Sequence, residues 1–516
     1  LDAWSRDAVI FDRAWTSAPR TRPSFRAATT GRLPLDAVCS TNIGAVFDAH
    51  GFATAGIVAN VHLNPYFDFQ KGFDLWWLDG KAQVDDQIRR ATEWLDENQD
   101  RDSYLFLHVM DPHIFYKAPA PYGDRYTADL PPLSADEQIP RMFNRWNVYK
   151  WQAAGKLTDL RKAHIAAMYD GELAWTSHEL GQFLHHLEEL PGKTLIIVHN
   201  DHGEEFWEHD GFEHNHTLYN DTTLGLLWIK PPGGTGQPGA RTPYPATLQD
   251  IAPTVYDFAG ITDAPKTDGE DLMPVVRGEA DASWSRPIPI GHLQYGASQF
   301  AVVWDDHKYI LTTGTGAEEL YDLADDRAEK VNLASTTDTA PWLDRLLKAH
   351  HFDGGAGWRV QLRVAKHGKV TVALPAKARL AGVLDPELIS KHPANQEWGE
   401  TPKKLPDDVA QDVHLSDDGM TLTFTPGKQG TGTIYVVFDA ATPAAGVTVR
   451  QGDQTGTTDD QGEVTLGETS LTINPGNIVL PGPSEWERMQ ACMTGSGVGT
   501  EVMTELEALG YVHKED

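Results

Sequence analysis

Two short, compact runs of apolar residues constrain the fold more than anything else in this sequence: Ser103-Tyr104-Leu105-Phe106-Leu107-His108-Val109 and Lys193-Thr194-Leu195-Ile196-Ile197-Val198-His199. Runs of this kind, without polar alternation, suit strands buried on both faces, as in the middle of a parallel sheet. Ala53-Thr54-Ala55-Gly56-Ile57-Val58-Ala59 is a weaker third run. Between them, Asp159 to Leu190 sets Ile165, Met168, Leu173, Leu180, Leu184 and Leu187 at helical spacings. That spacing predicts one or two amphipathic helices packed on the sheet. Short strands alternating with helices predict an α/β domain, a mostly parallel central sheet sandwiched by helices, over residues 1–350.

Past residue 350 the pattern changes. Val360 to Val364, Val370 to Leu374, Leu422 to Phe424, Thr433 to Phe438 and Val447 to Val449 alternate like strands, separated by Gly, Asp and Pro clusters. Residues 355–480 therefore read as an additional β-rich module, antiparallel in character. Residues 481–516 form a C-terminal tail that returns to helical spacing from Glu485 to Tyr511. A length of 516 residues agrees with more than one core.

Lysine and arginine number 43 against 74 acidic residues, a formal charge of −31. Such a surface repels nucleic acid and anionic lipid, which argues against either as a partner. An anionic substrate would need a metal ion and a few basic side chains to offset that field. The two cysteines, Cys39 and Cys492, are far apart and make neither a disulfide framework nor a paired metal motif. No apolar run reaches the ~18 residues of a membrane span. Oligomeric state is not legible.

The chemistry gathers in three places. Asn200-Asp201-His202-Gly203-Glu204-Glu205 directly follows the second apolar run. The carboxyl ends of strands are where open α/β sheets hold ligands, and neighbouring Asp and His offer a mixed oxygen and nitrogen donor set suited to Mn, Zn or Fe. Glu208-His209-Asp210-Gly211-Phe212-Glu213-His214-Asn215-His216 then collects three histidines and three acids in nine residues. His214 and His216 are candidates to bind an anionic oxygen or protonate a leaving group. Near the start, Thr21-Arg22-Pro23-Ser24 predicts a helix opening at Pro23 with Thr21 just outside it. A hydroxyl there can cap the helix, or, beside a metal ion, act as a nucleophile on a tetrahedral anion held at the helix N-terminus.

These segments, in this order, resemble the sulfatase family of the alkaline phosphatase superfamily. Thr21-Arg22-Pro23-Ser24 with Thr30-Gly31-Arg32-Leu33-Pro34 resembles the nucleophile segment, C/S-x-P-S-R-A-x-x-x-T-G-R-x-P, without gaps. Phe11 to Trp15 resembles the strand before it, and Met110-Asp111-Pro112-His113 with Tyr116 the D-P-H-x-P-Y loop. Asp201-His202-Gly203-Glu204 resembles the second metal motif, Leu248 to Thr254 the helix that closes the core, and Glu319 to Leu323 with Asn332 to Ala334 the end of the domain. Ala59-Asn60-Val61-His62-Leu63 stands where many members have G-K-W-H-L, and Leu506 to Tyr511 resembles a tail motif.

The resemblance implies an alkaline phosphatase-like fold and a divalent metal at Asp201, His202 and Thr21 (Mn, Zn or Fe favoured, Ca also compatible). It also implies a small anionic ester as substrate. It gives His62 and His113 site roles with Thr21, His214 and His216, and places Asn60 and Arg26 against the substrate. Two departures matter. Thr21 replaces the cysteine or serine that becomes formylglycine, a choice typical of phosphodiesterases, nucleotide pyrophosphatases and phosphoglycerol transferases, and Phe25 replaces the arginine after Pro-Ser, with Arg26 one place later. Family members also begin with an apolar strand ending in Asp-Asp or Asp-Gln, and this sequence opens at Leu1, after that strand. The expectation is a metal-dependent hydrolase or transferase of phosphate or phosphonate esters working through Thr21. The alternatives are a sulfatase without formylglycine and a non-catalytic binding protein.

Overall fold

The computed structural model describes residues 1–480 apart from 236–238, 281–284, 295–297, 314, 365–367, 385–409, 427–430 and 439–440, and beyond 480 only Arg488. Cys492, the helix expected from Glu485 to Tyr511 and the motif at Leu506 to Tyr511 lie outside the described residues. The chain divides into two compact units: residues 1–214 with 221–285, and residues 215–220 with 286–516.

The first unit is α/β. β1 (Val9–Trp15), β2 (Ala53–Val58), β3 (Leu75–Leu78), β4 (Ser103–His108), β5 (Ile196–His199), β6 (Leu227–Lys230) and β7 (Arg241–Thr247) form two sheets. One has the order β7-β1-β6-β5 and the other the order β3-β2-β4. The second is wholly parallel; in the first, β1 and β7 are parallel while β6 runs antiparallel to β1 and β5.

Helices cover these sheets. α1 (Thr21–Thr30) is buried along its whole length and stops at Gly31, whose φ of 67° is left-handed and which Thr267 approaches too closely for a Cβ. α2 (Val84–Glu97) packs with Ala91, Trp94 and Leu95 against β2. α4 (Asp159–Glu189), which follows the shorter α3 (Arg145–Ala153), is a single 31-residue helix; Thr158 caps it by accepting the Arg161 N–H at 3.2 Å. α5 (Ile251–Ala259) buries Ile251, Ala252 and Val255 against Ile43, Val46 and Phe47.

The apolar runs form strands where the sequence places them, but their burial differs. All six residues of β2 are buried, whereas β4 and β5 are mostly half-buried. β4 and β5 are each the last strand of their sheet, and both line a cavity of about 960 Å³. Trp76 packs on Phe73 and Phe25, and Phe143 on Tyr116 and Trp151.

The second unit is antiparallel. Ile288–Gly291, Gln299–Trp304, His307–Thr312 and Ala317–Asp322 form a meander, onto which the helix Ala340–His350 sets Leu343 and Leu346. Two five-stranded sheets follow, built from Asp353–Val364 onward. Their core is Trp358, Val360, Leu422, Phe424, Ile434 and Val436, all fully buried. The unit therefore begins at Arg286 and takes in the meander, whereas the sequence suggested a change near residue 350. The physical reason is that the meander is β-hairpin in character and shares its core with Ala340–His350. The segment Asn215–Asn220 joins this unit through Asn220 N–H to Glu329 and Tyr219 to Glu319.

Candidate active site

Thr21 is the first residue of α1, with Arg20 as N-cap and Pro23 inside the first turn, not just outside the helix as expected. A helix start carries N–H groups with no intrahelical acceptor, so the hydroxyl stands among donors. Thr21 Oγ1 accepts a hydrogen bond from Asn60 Nδ2 at 3.2 Å and lies 3.5 Å from His202 Nε2. Asn60 follows β2, and its Oδ1 accepts the His62 N–H at 2.9 Å, which fixes the amide's other end toward Thr21. His62 itself sits half-buried in the single 3-10 turn Val61–Leu63.

Asp201 and His202 lie just beyond β5, with His202 Nε2 3.7 Å from Asp201 Oδ1. Asn200 braces the turn: its Oδ1 accepts the Leu226 N–H at 2.6 Å and its Nδ2 donates to His202 O at 2.7 Å. Gly203 is required by a close approach, because a Cβ would stand 2.1 Å from Asp221 O. Burial disfavours charge on Asp201, but His202, His108 and the Thr21 hydroxyl outweigh it and hold the carboxyl down at about 2. Asp201 Oδ2 is shut off from solvent with no hydrogen-bond partner among the described residues. An ionised, enclosed carboxylate with one oxygen left over, next to an imidazole and a hydroxyl, fits a divalent cation.

A second layer of histidines adjoins this group. The His214 ring stacks on His202 at 4.0 Å between centroids, and His113 meets His214 edge-on at 5.4 Å. His214 Nδ1 lies 2.8 Å from Glu204 Oε1, and Tyr116 donates to Glu204 Oε2 at 3.2 Å. Burial, then the neighbouring His202, keeps His214 well below its usual range and so neutral, and burial raises Glu204. Arg145 at the start of α3 pairs with buried Glu213 and donates to His214 O at 2.9 Å. The loop around them holds Asp210, Glu213 and Asn215 at positive φ.

Thr21, Asn60, Asp201 and His202 are thus brought together, with His113 and His214 beside them. Arg26 is not: its guanidinium lies over the Phe69 ring at 4.7 Å, and it lines a separate cavity of about 160 Å³ with Thr29 and Cys39. The physical reason is the helical period, which turns Arg26 away from the face that carries Thr21. Phe25, at the expected arginine position, packs edge-on against Phe69 and Phe106. His216 lies in the segment that clusters with the second unit and is not among the side chains assembled here. Sequence reasoning missed His108, which ends β4, carries an Nδ1 without a partner among the described residues and is pushed below its usual range by burial, beside Asp201. Its place at the end of an apolar strand, the same signal that marked Asp201, could have found it.

The α/β unit thus sets a helix-start hydroxyl against an Asp-His pair just beyond a strand end. Residues 1–261 match the sulfatase family, and the chain belongs to it. Members of this family depend on a metal ion.

The arylsulfatase of Clostridium perfringens is 27% identical over 256 residues, 48% of this chain and 52% of that protein. Arylsulfatase K of Mus musculus is 30% identical over 277 residues, 48% and 49% of the two chains. The match spans about half the length of these curated relatives. Among solved structures, the phosphonate monoester hydrolase of Agrobacterium radiobacter superposes with a TM-score of 0.54 at 18% identity, over 68% of this chain and 90% of that one. A protein solved with its substrate D-glucosamine-2-N,6-O-disulfate gives 0.54 at 17% identity, over 67% and 90%. At these identities the likeness is one of fold.

Proposed function

We propose that this chain hydrolyses, or transfers the acid group of, phosphate or phosphonate esters, with Thr21 as nucleophile. The observation that carries the reading is Thr21 Oγ1 at the start of α1, 3.5 Å from His202 Nε2 and hydrogen-bonded to Asn60. Asp201, His202 and Thr21 would hold the metal, with Mn, Zn or Fe favoured by the mixed donors. Held there, such an ion would supply Lewis acidity, favouring the ionised Thr21 hydroxyl and offsetting the negative charge of the ester.

The chain's own groups do the rest. Thr21 Oγ1 gives its proton to solvent and forms a bond to phosphorus as the ester P–O bond breaks. His113 delivers a proton to the departing alkoxide, which leaves as the alcohol. Water then attacks phosphorus and gives a proton back to His113, the Thr21 O–P bond breaks, Thr21 regains its proton from solvent and the acid leaves; an alcohol in place of water gives transfer. Asn60 Nδ2 orients the hydroxyl, and His214, braced by Glu204 and Arg145, stacks on His202 and holds it in place. His216 keeps only its sequence-based claim.

Sulfate-ester hydrolysis is the second reading, favoured by the arylsulfatase relatives. A binding protein without turnover is the third reading.

Thr21→Ala is expected to lower turnover of phosphodiester and phosphonate monoester substrates by about a thousandfold or more, and Thr21→Ser to restore part of it. Undiminished turnover in the alanine variant would refute the mechanism. A sulfate ester turned over faster than either phosphorus ester would move the assignment to the second reading.

A further inference from the structure

Below the D-P-H turn lies a pair of acids that the reaction does not use. Asp111 follows β4 and is 9% exposed; Glu172, midway along α4, is 1% exposed. Asp111 Oδ2 accepts the Val84 N–H at 2.9 Å, where α2 begins. Glu172 Oε1 accepts the Lys117 N–H at 3.2 Å. Glu172 Oε2 is enclosed with no hydrogen-bond partner among the described residues, and the Asp111 carboxyl is the neighbour whose charge acts on Glu172. Ionised carboxylates only accept, so two such enclosed groups can share a hydrogen bond only while one of them carries a proton. Asp111 and Lys117 are the two ends of the loop that carries His113 and Tyr116, and Tyr116 in turn donates to Glu204 under His214.

We infer that Glu172 is a positioning residue for His113: as a carboxylic acid bonded to Asp111 and to the Lys117 N–H, it fastens both ends of the Asp111–Lys117 loop to α4. Lys117 from the loop, Asp111 from the end of β4 and Tyr169 one turn back on α4 are the charged or titratable groups that act on it. α2 contributes the Val84 N–H, and one turn further on the neutral Gln87, which donates to His108 O. Burial, then the charge of Asp111, pushes Glu172 up to about 8, so it keeps its proton at neutral pH. Because the folded value lies above the unfolded one, the contribution is complete at low pH and is lost as pH rises through about 8. Above that point two buried negative charges face each other and the loop is released.

The inference leans on His113 as a site residue, but its test does not use turnover. Hydrogen exchange of the peptide spanning 109–117 is followed from about pH 6 to about pH 10, corrected for intrinsic rates, in wild type, Glu172→Gln and Glu172→Ala. Wild type should lose protection as pH passes about 8, and Glu172→Gln, which cannot ionise, should hold it across the range. Glu172→Ala should exchange about ten-fold faster or more at every pH. The protonated-carboxyl infrared band should weaken in both variants. Wild-type protection in Glu172→Ala, or the same pH-dependent loss in Glu172→Gln, would overturn the proposal. An inactive enzyme with the expected exchange pattern would instead count against the reaction alone.

Discussion

In the second unit the buried ammonium of Lys308 sits 2.9 Å from Glu329, itself bonded to the Asn220 N–H, whereas in the first Asp201 Oδ2 and His108 Nδ1 are enclosed without a partner among the described residues. The strands tell the same story. Val360, Leu422 and Val436 of the β module are fully buried, while most residues of β4 and β5 are only half-buried along the cavity edge. A buried polar atom without a partner costs free energy, and folded proteins retain few of them. At these positions the two units differ: Lys308 and Glu329 face each other, whereas Asp201 Oδ2 and His108 Nδ1 adjoin the candidate site without a partner among the described residues.

The contrast can be broken by substitution. Lys308→Met leaves Glu329 buried without its cation, and the second unit should lose about 3–5 kcal/mol in denaturant unfolding. A change under about 1 kcal/mol would show that Glu329 is not the enclosed charge the geometry makes it. Packing gives a smaller, sharper test. Leu422→Ala empties a fully buried site and should cost about 2–5 kcal/mol, whereas Leu107→Ala, on the half-buried face of β4, should cost about 1 kcal/mol. Equal losses would mean that β4 is as tightly packed as the sandwich, and the cavity would lose its meaning.

The sequence carried much of the site because its main parts are contiguous. Asp201 and His202 are neighbours, and the segment Thr21 to Pro34 keeps the family spacing. What it hid was pairing between distant residues. His108 read as the tail of an apolar strand, and Glu172 sits within a helical period where an acid suggests a solvated face. Only the fold brings Glu172 to Asp111. Arg26 misled because one residue of slippage after Pro-Ser rotates a helical side chain by about 100°. The β meander was not read from the sequence, which placed residues 288–322 in the α/β domain; its packing on the helix Ala340–His350 is not revealed by local patterning.

The central claim is that Asp201, His202 and Thr21 form a metal-binding reaction centre, and elemental analysis of the purified 516-residue chain beside Asp201→Ala tests it most directly. The account predicts near-stoichiometric divalent metal in wild type and its loss in the variant. Metal retained in Asp201→Ala, or none bound by wild type after exposure to Mn, Zn, Fe and Ca, would contradict it.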